Sequence, residues 1–226
     1  MKLSNRSIAR PRAEIWFAVM LVITVVAAFF IGRQVERSRP SQPQSLAAAL
    51  TAFHAGYDQT ALALLTPLAK EGNAKAQYWL ADIYQHGLGV KPNIAQSIDL
   101  LEKSAAQGFV PAEARLGEIY LRGDQTLQDF RKARLLLHQA AIAGDSTAQR
   151  ELGDIFALGL GVPRDRARAY GWYENALIDG DRLAERLRDD LVPQMTPEEA
   201  SRGTEIAKDI EGQTKSVRSQ TKPAQS

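Results

Sequence analysis

The residue types that most often carry out catalysis or bind metals are sparse in this sequence. It contains three histidines, His54, His86 and His138, and no cysteine. None of the histidines belongs to an H-E-x-x-H zinc motif, and no G-x-S-x-G serine motif is present. The lack of cysteine excludes disulfides, thiolate metal sites and cysteine nucleophiles. We therefore predict no catalytic, metal-binding or cofactor-binding site.

Three acidic residues instead recur at a spacing that suggests binding. Asp82, Glu118 and Asp154 follow one another at intervals of 36 residues, on the side of their predicted helices away from the apolar residues. Such a face suits a peptide or a basic partner helix, although it is also typical of a solvated helix surface. The residues that we predict to line this acidic partner-binding groove are Tyr78, Asp82, Gln85, Glu118, Leu121, Arg150 and Asp154.

The spacing of 36 residues reflects an internal repeat of the whole segment around these acids. Residues 76–90, 112–126 and 148–162 are similar to one another, and each copy has apolar residues at i, i+4, i+7 and i+8. That spacing places the apolar residues on one face of an α-helix. A second helical segment that ends in glycine follows each copy and also precedes the first, so four such segments share one phase.

Glycines and short polar residues predict where these helices begin and end. Glycine tolerates the left-handed backbone conformation that ends many helices, and Asn or Asp side chains accept hydrogen bonds from the first N–H groups of a helix. The predicted C-caps of the first helices are Gly87, Gly123 and Gly159. The predicted N-caps of the second helices are Asn93, Asp129 and Asp165. Each unit is therefore a helix, a loop, a second helix and a tight turn.

Small residues also occupy one internal position of the first helix in each unit. They are Ala81, Gly117 and Gly153. Glycine inside a helix costs up to about 1 kcal/mol relative to Ala, so we expect a neighbouring helix to approach closely at this position. One helix pair cannot bury its own apolar face, and at least about three pairs must stack to form a core.

These features predict an all-α fold in which residues 46–211 form an α-solenoid of helix pairs with a period of 36 residues. The first pair looks shortened. At the other end, the charged segment 181–191 and a helix that begins at Thr196 are expected to cap the stack. The polar residues 212–226 are expected to form a disordered tail.

A hydrophobic segment precedes the repeats. Residues 15–32 carry no charge, and a helix of that length spans about 27 Å, close to the thickness of a hydrocarbon core. We predict a single transmembrane anchor, and the alternative is a cleaved signal peptide, which usually has a shorter apolar run and an A-x-A site. A basic segment, residues 1–14, precedes the anchor. A linker rich in Pro, Ser and Gln, residues 33–45, follows it.

The repeated residues resemble the Sel1-like repeat (SLR) family, a branch of the tetratricopeptide clan. The family pattern A-x-x-x-L-G-x-x-Y-x-x-G-x-G-V is matched closely at residues 148–162 and well at residues 76–90. In the middle unit Gln125 and Thr126 replace the second Gly and the Val, so we expect that loop to differ in shape. The resemblance covers roughly residues 46–211. It implies an adaptor or assembly factor in bacterial cell envelopes, secretion or signalling.

The anchor, the repeats and the resemblance together predict a non-enzymatic, membrane-anchored scaffold or assembly adaptor of the bacterial cell envelope, whose partners are other proteins. The basic residues that flank residues 15–32 lean slightly towards an N-in, C-out orientation. The chain would then be a single-pass inner membrane protein with its repeats in the periplasm. A net charge of +2, without a basic run in the repeats, argues against nucleic acid as a partner.

Two other functions fit the sequence. One is an envelope enzyme subunit or accessory protein that acts on peptidoglycan or polysaccharide, which would need paired carboxylates in a cleft. The other is a regulator that docks through its basic N-terminal segment or its basic tail. The sequence does not distinguish these functions from the scaffold, nor does it name the partner.

Overall fold

In the computed structural model, which describes residues 45–221, these residues form ten α-helices and no strand. The helices are α1 (Leu46–His54), α2 (Asp58–Lys70), α3 (Ala74–His86), α4 (Ile94–Ala105), α5 (Val110–Arg122), α6 (Phe130–Ile142), α7 (Ser146–Leu158), α8 (Arg166–Ile178), α9 (Arg182–Leu191) and α10 (Pro197–Thr221). A short 3-10 turn (Val192–Gln194) follows α9. We refer to the odd-numbered helices as A helices and to the even-numbered ones as B helices.

The helix ends lie where glycine and short polar residues predict them. The A helices α3, α5 and α7 each end at a glycine with φ near 70°, a left-handed conformation that favours glycine. The B helices α4, α6 and α8 each begin after an Asn or Asp whose side chain accepts a hydrogen bond from a first-turn N–H group. The predicted caps are confirmed, and they fix the length of every repeat.

From α1 to α9, consecutive helices pack against each other, as an α-solenoid requires. At the end of the stack α9 packs against α8 and α7. The last helix, α10, departs from the chain order, because it packs mainly against α8 and also reaches α6. These two helices therefore lie beside α7 and α8, the A and B helices of the last repeat, and their capping role stays a prediction. The first A helix, α1, has 9 residues where α3, α5 and α7 have 13.

The small residues inside the A helices allow the close approach that the sequence predicts. A Cβ atom added at Gly117 would lie 2.8 Å from Cγ of Leu137, and one added at Gly153 would overlap the ring of Tyr173. Leu137 and Tyr173 hold the same position in the successive B helices α6 and α8. The A helices α5 and α7 therefore each leave room for one large side chain of the B helix that follows.

The predicted disorder of residues 212–226 is wrong for residues 212–221, which continue α10. The helix persists because its inner face still packs: the side chain of Thr214 is only 3% exposed. Near its end, Arg218 forms an ion pair of 2.8 Å with Asp179 at the end of α8. The polar composition of this segment reflects its outer face. Residues 222–226 lie outside the described residues.

The predicted anchor, basic N-terminal segment and linker lie outside the described residues, apart from Ser45, the N-cap of α1. Within residues 45–221, no helix is both long enough and apolar enough to cross a membrane. The assignment of residues 15–32 as a membrane anchor stays a prediction.

Candidate partner-binding surface

The seven residues predicted to line a groove lie on three successive A helices, α3, α5 and α7, and the side chains of all seven are partly exposed. We call the surface formed by these seven residues the A face. Cross-helix contacts divide it into three junctions, each where one A helix meets the next. The first joins α3 and α5, the second joins α5 and α7, and the third joins α7 and α9.

At the first junction an arginine neutralises the predicted acid. Arg115 on α5 donates a hydrogen bond of 2.7 Å to Oε1 of Gln85 and lies 3.5 Å from Oδ1 of Asp82. His86 approaches the same carboxylate at 3.3 Å. Tyr78 belongs to this group as well, since Arg115 and Asp82 both influence its phenol, whose pKa is raised mainly by burial. This part of the A face is polar and internally balanced in charge.

At the second junction the charge of one acid influences another. Glu118 on α5 forms an ion pair of 2.7 Å with Arg122 on its own helix. Glu151 on α7 is only 5% exposed. Burial, and next the charge of Glu118, raise the pKa of Glu151 from 4.5 to about 7, while Arg150 and Arg122 oppose this rise. The second junction therefore holds a carboxyl group that changes charge near neutral pH.

At the third junction Asp154 is held from two sides. The hydroxyl of Tyr173 on α8 donates a hydrogen bond of 2.7 Å to Oδ1 of Asp154, and Nη1 of Arg150 lies 3.5 Å from Oδ2. Arg150 also donates a hydrogen bond of 2.8 Å to Asp181, the N-cap of α9. Burial raises the pKa of Asp154, and the contacts with Tyr173 and Arg150 oppose the rise.

Six of the seven predicted residues therefore take part in side-chain contacts or charge interactions at the junctions. Leu121 contributes its backbone carbonyl, which accepts a hydrogen bond of 2.8 Å from Gln128. The sequence analysis missed Arg115 and Glu151. A signal existed, because each lies 33 residues after a predicted acid, Asp82 and Glu118 respectively. Periodicity alone could not show that this offset joins neighbouring A helices.

Two cavities open on the A face. One, of about 180 Å³, lies between α3 and α5 and is lined by Gln85, Arg115, Glu118 and Arg122, among others. The other, of about 240 Å³, lies between α7 and α9. Its apolar lining comes from Ala157, Leu158, Leu187 and Leu191, and its acids are Asp154 and Asp190. The A face is thus polar at its first junction and partly apolar at its third.

A separate cavity of about 340 Å³ is lined by residues of α6, α7, α8 and α10. His138 and Trp172 lie in it with their rings 5.7 Å apart, edge to face. Trp172 is buried and packs in the core. Burial and the nearby Arg134 lower the pKa of His138.

The three histidines lie on three different helices. His54 on α1 contacts the ring of Trp79, His86 on α3 contacts Asp82, and His138 on α6 contacts Trp172. Across residues 45–221, no group of three or more His, Asp or Glu side chains is placed to hold a metal ion.

Comparisons with known proteins agree with this architecture. The family model of the Sel1 repeat matches three consecutive segments, residues 74–109, 110–145 and 146–181. Each matched segment contains one A helix and the B helix that follows it. No curated protein sequence matches the chain significantly.

Solved structures extend the comparison. A Sel1 repeat protein from Oxalobacter formigenes is 33% identical, with a TM-score of 0.52, and the match covers 56% of this chain and 95% of that one. A protective antigen of uropathogenic Escherichia coli with an SLR fold is 22% identical, also with a TM-score of 0.52. That match covers 79% of this chain and 49% of the antigen, and it shows a likeness of fold alone.

Proposed function

This chain belongs to the Sel1 repeat family, and on that premise we propose that it is a membrane-anchored scaffold or assembly adaptor of the bacterial cell envelope, which binds other proteins through its A face. Sel1 repeats generally mediate protein–protein interactions and are typically not catalytic. The proposal adds three things to that family role: a location in the cell envelope, a membrane anchor, and the A face as the binding surface.

One observation supports the A face as a binding surface: contacts between successive helices hold its side chains in place. Three successive A helices present partly exposed polar side chains, and contacts such as Arg115 with Gln85 and Arg150 with Asp181 hold these side chains between one helix and the next. A surface that is fixed before binding loses less conformational entropy when a partner docks. The helical stack supplies such a surface over several repeats.

Photo-crosslinking in membranes tests the surface directly. A photoreactive amino acid at Gln85, on the A face, should capture a partner that mass spectrometry can identify. The matched control is Leu135 on α6, whose side chain is 62% exposed but belongs to a B helix. Equal capture at both positions, or capture at Leu135 alone, would contradict the proposal. The substitution at Gln85 removes one hydrogen bond, from Arg115, whereas charge reversal of Asp82, Glu118 and Asp154 would break several ion pairs within the stack.

The anchor is supported by the uncharged residues 15–32, whose helical length of about 27 Å would suit a bilayer. A C-terminal fusion to alkaline phosphatase should be active and one to green fluorescent protein dark if the repeats are periplasmic. The reverse pattern would contradict the N-in, C-out orientation. The mass of the purified protein distinguishes a retained anchor from a cleaved signal peptide.

The rival function, an envelope enzyme subunit acting on peptidoglycan or polysaccharide, needs two carboxylates that face one cleft. Asp154 and Asp190 together line the cavity of about 240 Å³, and Glu102 and Glu113 line another of about 440 Å³. Glu118 and Glu151 are not such a pair. The cavity of about 180 Å³ beside them is lined by Glu118 but not by Glu151. The scaffold is favoured because one acid of each pair already accepts a hydrogen bond from a tyrosine, Asp154 from Tyr173 and Glu102 from Tyr120, and because Sel1 repeats are typically not catalytic.

A further inference from the structure

The cavity of about 340 Å³ is lined by residues of α6, α7, α8 and α10, and none of them belongs to the A face. Its apolar and aromatic lining is buried, as Phe156, Trp172 and Ile210 show. Arg134 and Gln213, which also line it, are exposed, so the cavity is open to solvent. A largely apolar cavity of this size with a few polar groups is typical of a small-ligand site.

The residues that line this cavity carry more positive than negative charge. Arg134 comes from α6 and Arg168 from α8, whereas Asp209 on α10 is the one acid among the lining residues. Asp209 accepts a hydrogen bond of 2.8 Å from Gln213. The pKa of His138 is lowered by burial and by the charge of Arg134, so its imidazole is neutral at pH 7. The cavity therefore suits an anion.

The two guanidinium groups are free to meet such an anion. Arg134 forms no hydrogen bond or ion pair with any residue in the range 45–221. Arg168 lies over the ring of Phe156, 5.4 Å from its centroid, and its side chain is 3.5 Å from Asp165. Asp165 makes its shorter ion pair, of 2.7 Å, with Arg202. Neither cation of the cavity is thus neutralised by a close carboxylate of its own.

The preceding repeat has a cavity at the equivalent place, and there the chain supplies a carboxylate. This is the cavity of about 440 Å³, whose lining includes Glu102, Leu116 and Leu136, each 36 residues before a residue of the cavity of about 340 Å³, namely His138, Leu152 and Trp172. Glu102 accepts a hydrogen bond of 2.9 Å from the hydroxyl of Tyr120, and Lys132 lies over the same ring.

Between the two repeats the carboxylate is lost, the cation is kept and a second cation is added. The positions of Glu102, Tyr120, Lys132 and Ile98 are occupied in the next repeat by His138, Phe156, Arg168 and Arg134. The later cavity therefore has the cations of a carboxylate site, but the chain does not place a carboxylate at the position of Glu102.

We propose that the cavity of about 340 Å³ binds a small aromatic carboxylic acid, whose ring packs against Trp172 and Ile210 and whose carboxylate pairs with Arg134 and Arg168. Guanidinium groups suit a carboxylate because their planar fork matches its two oxygens. No amino-acid side chain carries both an aromatic ring and a carboxylate, so a small molecule fits this lining better than a partner's side chain. The inference goes beyond the proposed function, because the site lies outside the A face.

Ligand-observed saturation-transfer NMR on the full chain, purified in detergent, tests the site. The probe is indole-3-acetate, and its control is indole-3-acetamide, which has nearly the same shape without the charge. After subtraction of the signal from protein-free micelles, we expect saturation transfer to be several-fold stronger for the acid. Equal signals from the two probes would overturn the inference.

Two matched variants assign the binding to the cavity. Arg134→Gln should reduce the difference between the probes several-fold, because it removes the guanidinium that has no acid of its own. Arg131→Gln is the control, since Arg131 is an exposed arginine of the same helix that does not line the cavity. It should leave the difference unchanged. An undiminished difference in Arg134→Gln, or an equal loss in both variants, would contradict the assigned site.

A third variant tests the comparison between the repeats. His138→Glu restores the carboxylate that Glu102 supplies one repeat earlier, so the protein should fold, as circular dichroism can verify. The new carboxylate should occupy the cations from within the chain. Binding of indole-3-acetate should then fall several-fold while binding of the amide stays the same. Acid binding as strong as in the native protein would overturn the inference.

A peptide with an aromatic residue at its C-terminus offers the same ring and carboxylate. N-acetyl-alanyl-tryptophan is therefore a further probe, and we expect it to bind more weakly than indole-3-acetate in saturation-transfer titrations. Tighter binding of the peptide would point to a protein C-terminus and overturn the assignment of a small molecule. These results do not depend on capture at Gln85, which tests the proposed function on the A face.

Discussion

The hydroxyl of Tyr173 reaches from α8 to Asp154 on α7 and donates a hydrogen bond of 2.7 Å to its carboxylate. The ring can pass between the helices because Gly153 has no side chain: a Cβ there would overlap it. Asp154, a residue of the A face, is therefore positioned by the packing of Tyr173 against Gly153 in the core. Mutations in the core should consequently alter the A face as well as stability.

Gly153→Ala should destabilise the protein by about 1–3 kcal/mol, because the added methyl group must displace a buried aromatic ring. Gly212→Ala is the matched control, since a Cβ at that helical position meets nothing within 4 Å. It should stabilise the protein by up to about 1 kcal/mol through helix propensity. Urea unfolding of the full chain measures both. A neutral Gly153→Ala would contradict the close packing of α7 and α8.

Tyr173→Phe should cost about 1–3 kcal/mol, since it removes a hydrogen bond to a charged group while keeping the ring in place. The same change should raise the pKa of Asp154 further, because the lost hydrogen bond opposes the effect of burial. The carboxyl carbon shift of Asp154, followed by NMR titration, reports this pKa. An unchanged titration would mean that the hydroxyl does not bond to this carboxylate in solution.

Stability should depend on the ionisation of Glu151. Its pKa rises from 4.5 to about 7 on folding, so between these values the folded protein keeps a proton that the unfolded chain has lost. Stability therefore falls as pH rises through this window and levels off above it. Glu151→Gln removes the effect, and the variant should gain on the order of 2–3 kcal/mol relative to the native protein between pH 5 and pH 8.

Urea unfolding at the two pH values measures that difference. Glu185→Gln, which removes a carboxylate from an exposed position of α9, is the matched control for the change in net charge. A relative stability of Glu151→Gln that is the same at pH 5 and pH 8 would contradict the raised pKa.

The end of α10 should depend on Arg218. Its ion pair with Asp179 is partly exposed, so Arg218→Ala should cost no more than about 1 kcal/mol overall. The local effect should be larger, with faster amide hydrogen exchange after Gly212 and little change in α8. Lys215→Ala is the control, because Lys215 pairs only with Glu211 on its own helix. Equal exchange in the two variants would show that Asp179 does not hold the helix end.

The sequence predicted the helices, their caps and the period because each depends on local signals. A glycine after an A helix, such as Gly159, or an acid before a B helix, such as Asp165, acts within one turn of its own position. The contacts between A helices on the A face join residues 30 to 33 positions apart, and no local rule shows that Arg115 would reach Gln85 and Asp82. The tail was mispredicted for a similar reason: Thr214 and Arg218 are ordered by packing against distant helices.

The contacts between successive A helices have a consequence for how Sel1 repeat proteins diverge. The matched units have A helices of 13 residues and B helices of 12 or 13 residues, so we expect exchange of residues 110–145 with 146–181 to have a modest effect on folding. The junctions between units would nevertheless change, because Asp82 would then face Glu151 instead of Arg115. On the proposed role of the A face, the choice of partner would then change without a substitution inside any unit. Two family members could thus share well-matched units and still recognise different proteins, a divergence that unit-by-unit alignment would overlook.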